Sequence, residues 1–253
     1  MTILSTKKVI KKRSKQNLPD LPTHVLSDIL AIVASTSSTD LLNAKASCKE
    51  WFKAASEDYV FERVSIESLP VIPWKKTNNG AVSFLQKCIK AGNPESLFRQ
   101  GMIDYFSNLR LDSGLEYLRK ASDKGHLVAK YVYGIILVCY GGEFREQGLK
   151  LVCDLKSKLV DECREKVRKV VKFMWKRNFI IAEGEEKELT LRRKNCCCKE
   201  RLSCVEMKKK SMGWRDEEEF DDGVSCDGCL WDTEAIRFRH MLRTGRFSCR
   251  FVY

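Results

Sequence analysis

Two stretches of this chain match each other at a fixed spacing of 33 residues, and that internal repeat restricts the fold more than any single motif. Leu85 aligns with Leu118, Lys87 with Lys120, Gly92 with Gly125, and Gly101 with Gly134. A second offset, of 34 residues, sets Gly114, Leu115 and Glu116 against Gly148, Leu149 and Lys150. Periods of this size are those of stacked helix-turn-helix units. Gly92 and Gly125 fall where one helix must stop and the chain must turn, the place of a helix C-cap. Pro94 is suited to opening the next helix. Gly101 and Gly134 fall inside helical patterns, where glycine costs about 1 kcal/mol relative to alanine. Close approach between paired helices is the physical reason to keep one there. A single repeat cannot bury its own apolar face, and about three are needed. The pattern gives two, with a partial one on either side. The helix over 161–175, with its apolar stripe Val167, Val170, Val171 and Met174, is expected to cap the array.

Four zones follow. Residues 1–17 read as a polar, basic, flexible tail, 18–66 as a compact helical unit, 80–177 as the helical repeats, and 178–253 as an irregular, charged, cysteine-rich region. At 253 residues, 43% hydrophobic and 32% charged, the chain fits a globular protein of one or two domains. Its longest apolar run, Tyr131 to Tyr140, is about half the roughly 20 residues a membrane helix requires, so a buried helix is expected and no membrane partner. The N-terminus has no apolar stretch of the secretory kind, so an intracellular protein of cytoplasm or nucleus is expected. The net charge of +12 comes largely from separate clusters: Lys7 to Lys15, Arg192 to Lys194, and Lys208 to Lys210. An acidic run, Asp216 to Asp222, follows. Such blocks are solvated segments. The first has the form of a nuclear import signal centred on Lys12 to Lys15, or is simply a basic tail.

In the second zone, Pro22 opens a helix whose apolar positions, Val25, Leu26, Ile29, Leu30 and Val33, recur at three- and four-residue steps. Residues 35–38 break it, and Thr39 or Asp40 can cap the next helix. Leu41, Leu42, Ala44 and Cys48 lead to Trp51 and Phe52, and a further turn carries Tyr59, Val60 and Phe61. Three short amphipathic helices are expected. The ordered elements Leu21-Pro22, Val25-Leu26, Ile29-Leu30, Asp40-Leu41, Ser47-Cys48-Lys49 with Trp51, and Phe61 resemble the F-box. A Ser/Thr-rich linker after Val33 replaces the Leu-Pro pair usual there. The segment from Gly114 to Ala129 is similar to the junction of tetratricopeptide-like repeats of the Sel subclass, in which His126 holds a residue type common at that position. The stretch from Cys226 to Leu242 resembles the C-terminal segment of a set of plant F-box proteins. The fold so implied is all-α, an F-box followed by an α-α repeat array. The F-box resemblance implies docking onto a Skp-type adaptor, and through it a cullin, with Leu21, Pro22, Leu26, Ile29 and Leu30 supplying the apolar surface. Some of these must serve the internal core instead.

No catalytic constellation is evident. Three histidines are present, and neither His24 nor His126 has the neighbours that acid-base work needs. No phosphate-binding loop, dinucleotide fingerprint or zincin motif occurs. The C-terminal region holds the only chemical candidate. Cys226 and Cys229 form a CxxC pair that can offer two thiolates to a structural zinc ion. Cys198 and Cys204 can supply the second pair, with His240 and Cys249 as alternatives; reduced thiols on a tail are the plainer reading. Cys48, Cys88, Cys139, Cys153 and Cys163 are scattered through helical patterns and read as reduced, small apolar side chains. The expected function is a non-catalytic substrate receptor of a ubiquitin ligase, holding an unknown protein target against the repeat surface. Two alternatives stand beside it: a basic nucleic-acid-associated protein with a zinc knuckle, disfavoured by the interleaved acids, and a protein-interaction scaffold outside any ligase.

Overall fold

A computed structural model describes residues 21–70, 79–155, 157–174 and 227–244. Among the described residues there are eleven α-helices and no strand. The first, α1 (Thr23–Thr36), starts one residue after Pro22, whose carbonyl accepts from the amides of Val25 and Leu26 at 3.0 and 3.2 Å. Pro22 thus sits on the boundary and not inside the first turn. Ser37, not Thr39 or Asp40, caps α2 (Ser38–Lys45). Its extended backbone aims Oγ at the Asp40 amide, 3.1 Å away. The unit holds four helices where three were expected, because the chain breaks between α2 and α3 (Lys49–Ala54) before α4 (Asp58–Arg63). Ser47 Oγ donates back to the Ala44 carbonyl at 2.6 Å and Cys48 is extended, φ −155°. A serine that bonds its own backbone in this way ends a helix.

Leu30, Ala31, Ala34, Leu41, Ala54, Val60 and Phe61 form the core of this unit. Val64 and Ile66 from the segment after α4, and Cys88 from α5 (Asn79–Ala91), join the same core. The first four helices and the first repeat helix are therefore packed as one body. The repeats continue as α6 (Pro94–Phe106), α7 (Leu111–Asp123), α8 (Leu127–Tyr140), α9 (Gly142–Val152) and α10 (Ser157–Lys172). Two pairs are joined by glycine turns, α5–α6 and α7–α8; α9 then packs on α8, and α10 also packs on α8.

The first two pair turns are built alike. At Gly92 and Gly125, φ is +81° and +83°. Each glycine amide bonds back to Ile89 or Ser122, and the next amide to Cys88 or Ala121. Those two bonds close a helix end around a left-handed residue. The next residue caps the following helix: Asn93 Oδ1 accepts from the Ser96 amide, His126 Nδ1 from the Ala129 amide, both at 3.0 Å.

Glycines inside the helices set how closely successive pairs approach. A Cβ on Gly114 would fall 2.6 Å from the Tyr105 amide nitrogen, and one on Gly148 2.6 Å from the Gly134 carbonyl. So α7 lies backbone to backbone on α6, and α9 on α8. Between them α8 is buried on nearly all sides, which accounts for its mostly apolar sequence. No described helix is long and apolar enough to cross a membrane. The last described helix, α11 (Asp227–Thr244), adds Trp231, Ala235, Phe238, Met241 and Leu242 to the core of the repeats.

Candidate functional site

Each α-helical residue turns about 100° from the last, so α1 carries two apolar faces. Leu30 and Ala34 face the core, 0% exposed, with Leu26 at 8%. On the other side Ile29 is 39% exposed and Ile32 66%, with Leu21 at 39% just ahead of the helix. Val25 is half-buried and Pro22 exposed. The five residues named from sequence therefore divide: Leu21, Pro22 and Ile29 are available at the surface, whereas Leu26 and Leu30 hold the unit together. Ile32 belongs to the outer face and was missed, because a helix apolar on two sides does not reveal from sequence where one face ends. Leu42 of α2 and Phe52 of α3 are also exposed.

The outer face is held rigidly from behind. Ser27 Oγ, buried on α1, donates to Glu57 Oε2 at 2.7 Å, and the Ser65 amide to the Ala34 carbonyl at 2.8 Å. The buried Asn93 amide then ties the unit to the repeats, donating to the carbonyls of Phe61, Glu62 and Val64 at 3.2, 3.0 and 2.8 Å.

An open groove of about 590 Å³ lies at this junction, lined by Ile32, Ile66, Pro94, Glu95, Lys124 and His126 among others. Several of its charges are engaged with one another. Lys124 pairs with Glu62. His126 stacks on Phe98 and donates through Nε2 to Glu95 Oε2 at 2.8 Å, and Arg99 reaches Glu95 Oε1 at 2.7 Å. Burial pushes the Glu95 carboxyl up, but the bonds and charges of His126 and Arg99 outweigh it and hold the group below the usual carboxylate range. These contacts brace a joint.

Two thiols of the cores are inert. Burial pushes Cys88 and Cys163 up to about 12, so both stay protonated and behave as small apolar side chains. Of the zinc candidates, Cys198, Cys204, Cys226 and Cys249 lie outside the described residues. Cys229 is buried in the first turn of α11 and His240 is half-buried on the same helix. Eleven residues of helix separate those two by roughly 16 Å, so they cannot ligate one ion together. Among the described residues no group of three or more His, Cys, Asp or Glu is arranged to hold a metal.

The region read from sequence as irregular contains a regular helix, α11, which begins at Asp227 inside the CxxC pair because its apolar residues find a core in the repeats. Leu230 and Ile236 are half-buried, while Trp231 at 2% and Phe238 at 0% take the core positions. Two acids are buried beside them. Asp232 accepts both fork bonds of Arg145 at 2.9 Å, and Glu234 accepts from Arg164 at 2.9 and 2.5 Å and from the Tyr131 hydroxyl. Burial works against the Arg164 charge, yet Glu234 holds it more firmly protonated than usual.

Comparison with known proteins agrees with these elements. Residues 18–67 match an F-box-like family and residues 66–172 match plant tetratrico peptide repeats. An Arabidopsis thaliana protein named "Putative F-box protein" is 29% identical over 241 residues, covering 91% of this chain and 80% of that one. A second Arabidopsis F-box protein is 28% identical over 124 residues, 49% of this chain and 75% of its own. A third is 27% identical over 119 residues, 46% of this chain and 35% of its own. No solved structure matches the chain. The four-helix unit is an F-box-like domain, and helices α5 to α10 behind it are plant tetratricopeptide repeats.

Proposed function

We propose that this chain is the substrate-receptor subunit of a cullin-based ubiquitin ligase of the SCF type. The F-box unit docks onto a Skp-type adaptor, which links it to the cullin, and the repeats present a surface to a protein target. The chain itself does no chemistry; it raises the local concentration of the target's lysines near a charged enzyme. It works inside the cell, in cytoplasm or nucleus. The observation that carries this reading is the second apolar face of α1. Leu21, Ile29 and Ile32 are left uncovered while the opposite face builds the core. An apolar helix face of this kind is suited to a complementary groove on a partner.

The test is affinity capture of the adaptor from plant extract. Ile29→Asp changes an exposed residue, so the chain stays folded by circular dichroism and adaptor capture falls by more than tenfold, about 1.4 kcal/mol or more. Leu30→Asp, which buries an unpaired carboxylate, serves as the unfolding control. Undiminished capture by folded Ile29→Asp overturns the assignment. Leu26→Asp is a poor choice, because Leu26 is in the core.

A further inference from the structure

Helix α11 joins the repeats differently from the helices before it. The members of each pair are joined by short turns, whereas residues 173–226 separate α10 from α11. It also lies beyond the stretch that matches plant repeats, which ends at residue 172. Its contacts run backwards through the array. Asp232 meets Arg145 of α9, and Glu234 meets Arg164 of α10 and Tyr131 of α8. Phe238 lies 6.3 Å from the Phe106 ring of α6 and 6.4 Å from that of Tyr131. The helix thus packs mainly on α8, with side-chain contacts to α6, α9 and α10, and does not extend the stack.

The contact has the chemistry of a selective ligand. Trp231, Ala235, Phe238, Met241 and Leu242 supply apolar burial, yet Asp232 and Glu234 are buried with them at 2% and 1% exposure. An all-apolar face would close the array about as well, because buried ion pairs roughly break even against well-packed hydrophobic residues. Such pairs add register and choice of partner. A helix lacking the acids would leave Arg164, 4% exposed, without its buried counter-charge.

We propose that the face formed by α6, α8, α9 and α10 is a helix-binding site, filled in cis by α11. Its ligand is an amphipathic helix with an aromatic residue, carboxylates one and three positions later, and a second aromatic at seven, as in Trp231, Asp232, Glu234 and Phe238. Release of α11 opens the site to a partner helix of that pattern. This inference does not rest on the docking role of α1.

The test uses the full chain and a fluorescent peptide of residues 227–244. In the wild type the tethered helix competes at a local concentration on the order of millimolar, so micromolar peptide stays unbound. In the Asp232→Lys, Glu234→Lys chain, α11 presents lysines to Arg145 and Arg164 and leaves. The peptide then binds at least about 100-fold more tightly than to the wild type. A peptide carrying the same two lysines does not bind. Hydrogen exchange over α8 and α11 reports whether the array stays folded and whether α11 has left. The proposal fails if the array unfolds when α11 leaves, since α11 is then an integral core helix. It also fails if α11 stays protected, if the opened chain ignores the native peptide, or if the lysine peptide binds equally well.

Discussion

The Asn93 side chain serves two parts of the molecule. Its oxygen caps α6 at the Ser96 amide, and its nitrogen shares two hydrogens among the carbonyls of Phe61, Glu62 and Val64. His126, 33 residues later, repeats the device: Nδ1 caps α8 and Nε2 reaches back to Glu95 of the preceding pair. In both turns the capping residue also fastens its helix to the unit before it. The two roles can be separated by substitution. Asn93→Asp keeps an oxygen for the cap but loses both donors and sets a charge against three carbonyls. We expect a loss of about 3 kcal/mol or more, from buried groups left unpaired. Ser37→Ala, which removes only the cap of α2, should cost about 1 kcal/mol. Urea unfolding of the two variants checks this. An Asn93→Asp chain as stable as the wild type would mean that the carbonyl contacts at Asn93 contribute nothing.

At the scale of helices, two kinds of glycine do different work and should respond differently to one methyl group. Gly148→Ala would set a Cβ 2.6 Å from the Gly134 carbonyl and 2.9 Å from the Val138 amide. Both contacts are backbone, so α8 and α9 must move apart, at a cost of about 3 kcal/mol. Gly125→Ala meets nothing within 4 Å, but its φ of +83° is strained for alanine, which costs roughly 1 kcal/mol. Thermal unfolding should order them so; the reverse order would mean that the helix pairs are not held by backbone contact. Both glycine types could be read in the sequence, because capping is local chemistry and a glycine inside a helix is conspicuous. At the end of the array α10 packs on α8 through the apolar stripe that includes Val167, Val170 and Val171. In α1 the spacing located the helix, but not which of Leu26, Ile29 and Leu30 face inward, since both sides are apolar. Their sidedness comes from the later helices and Ile66, which are distant in sequence. Asp232 and Glu234 were out of reach for the same reason. A carboxylate reads as solvent-facing until its arginine, 87 or 70 residues away, is placed beside it.

Across the whole molecule, the exposed face of α1 and the docked α11 belong to different cores. Leu26, Leu30 and Phe61 pack with α5, whereas Trp231 and Phe238 pack with α6, α8 and α10. In a stacked array each unit is stabilised mainly by its immediate neighbours, so a disturbance at one end fades along the stack. Glu234→Gln tests this directly. It keeps the shape of the side chain but removes the buried counter-charge of Arg164, a loss of about 3 kcal/mol or more. If the two ends are independent, α11 amides should exchange more than about 100-fold faster while α1 amides keep their protection, the signature of a local opening. Adaptor capture by this variant should match the wild type, and Ile29→Asp should leave α11 protection unchanged. Joint loss of protection in α1 and α11 would mean one cooperative unit, in which occupancy of the α11 site would be felt at the adaptor face.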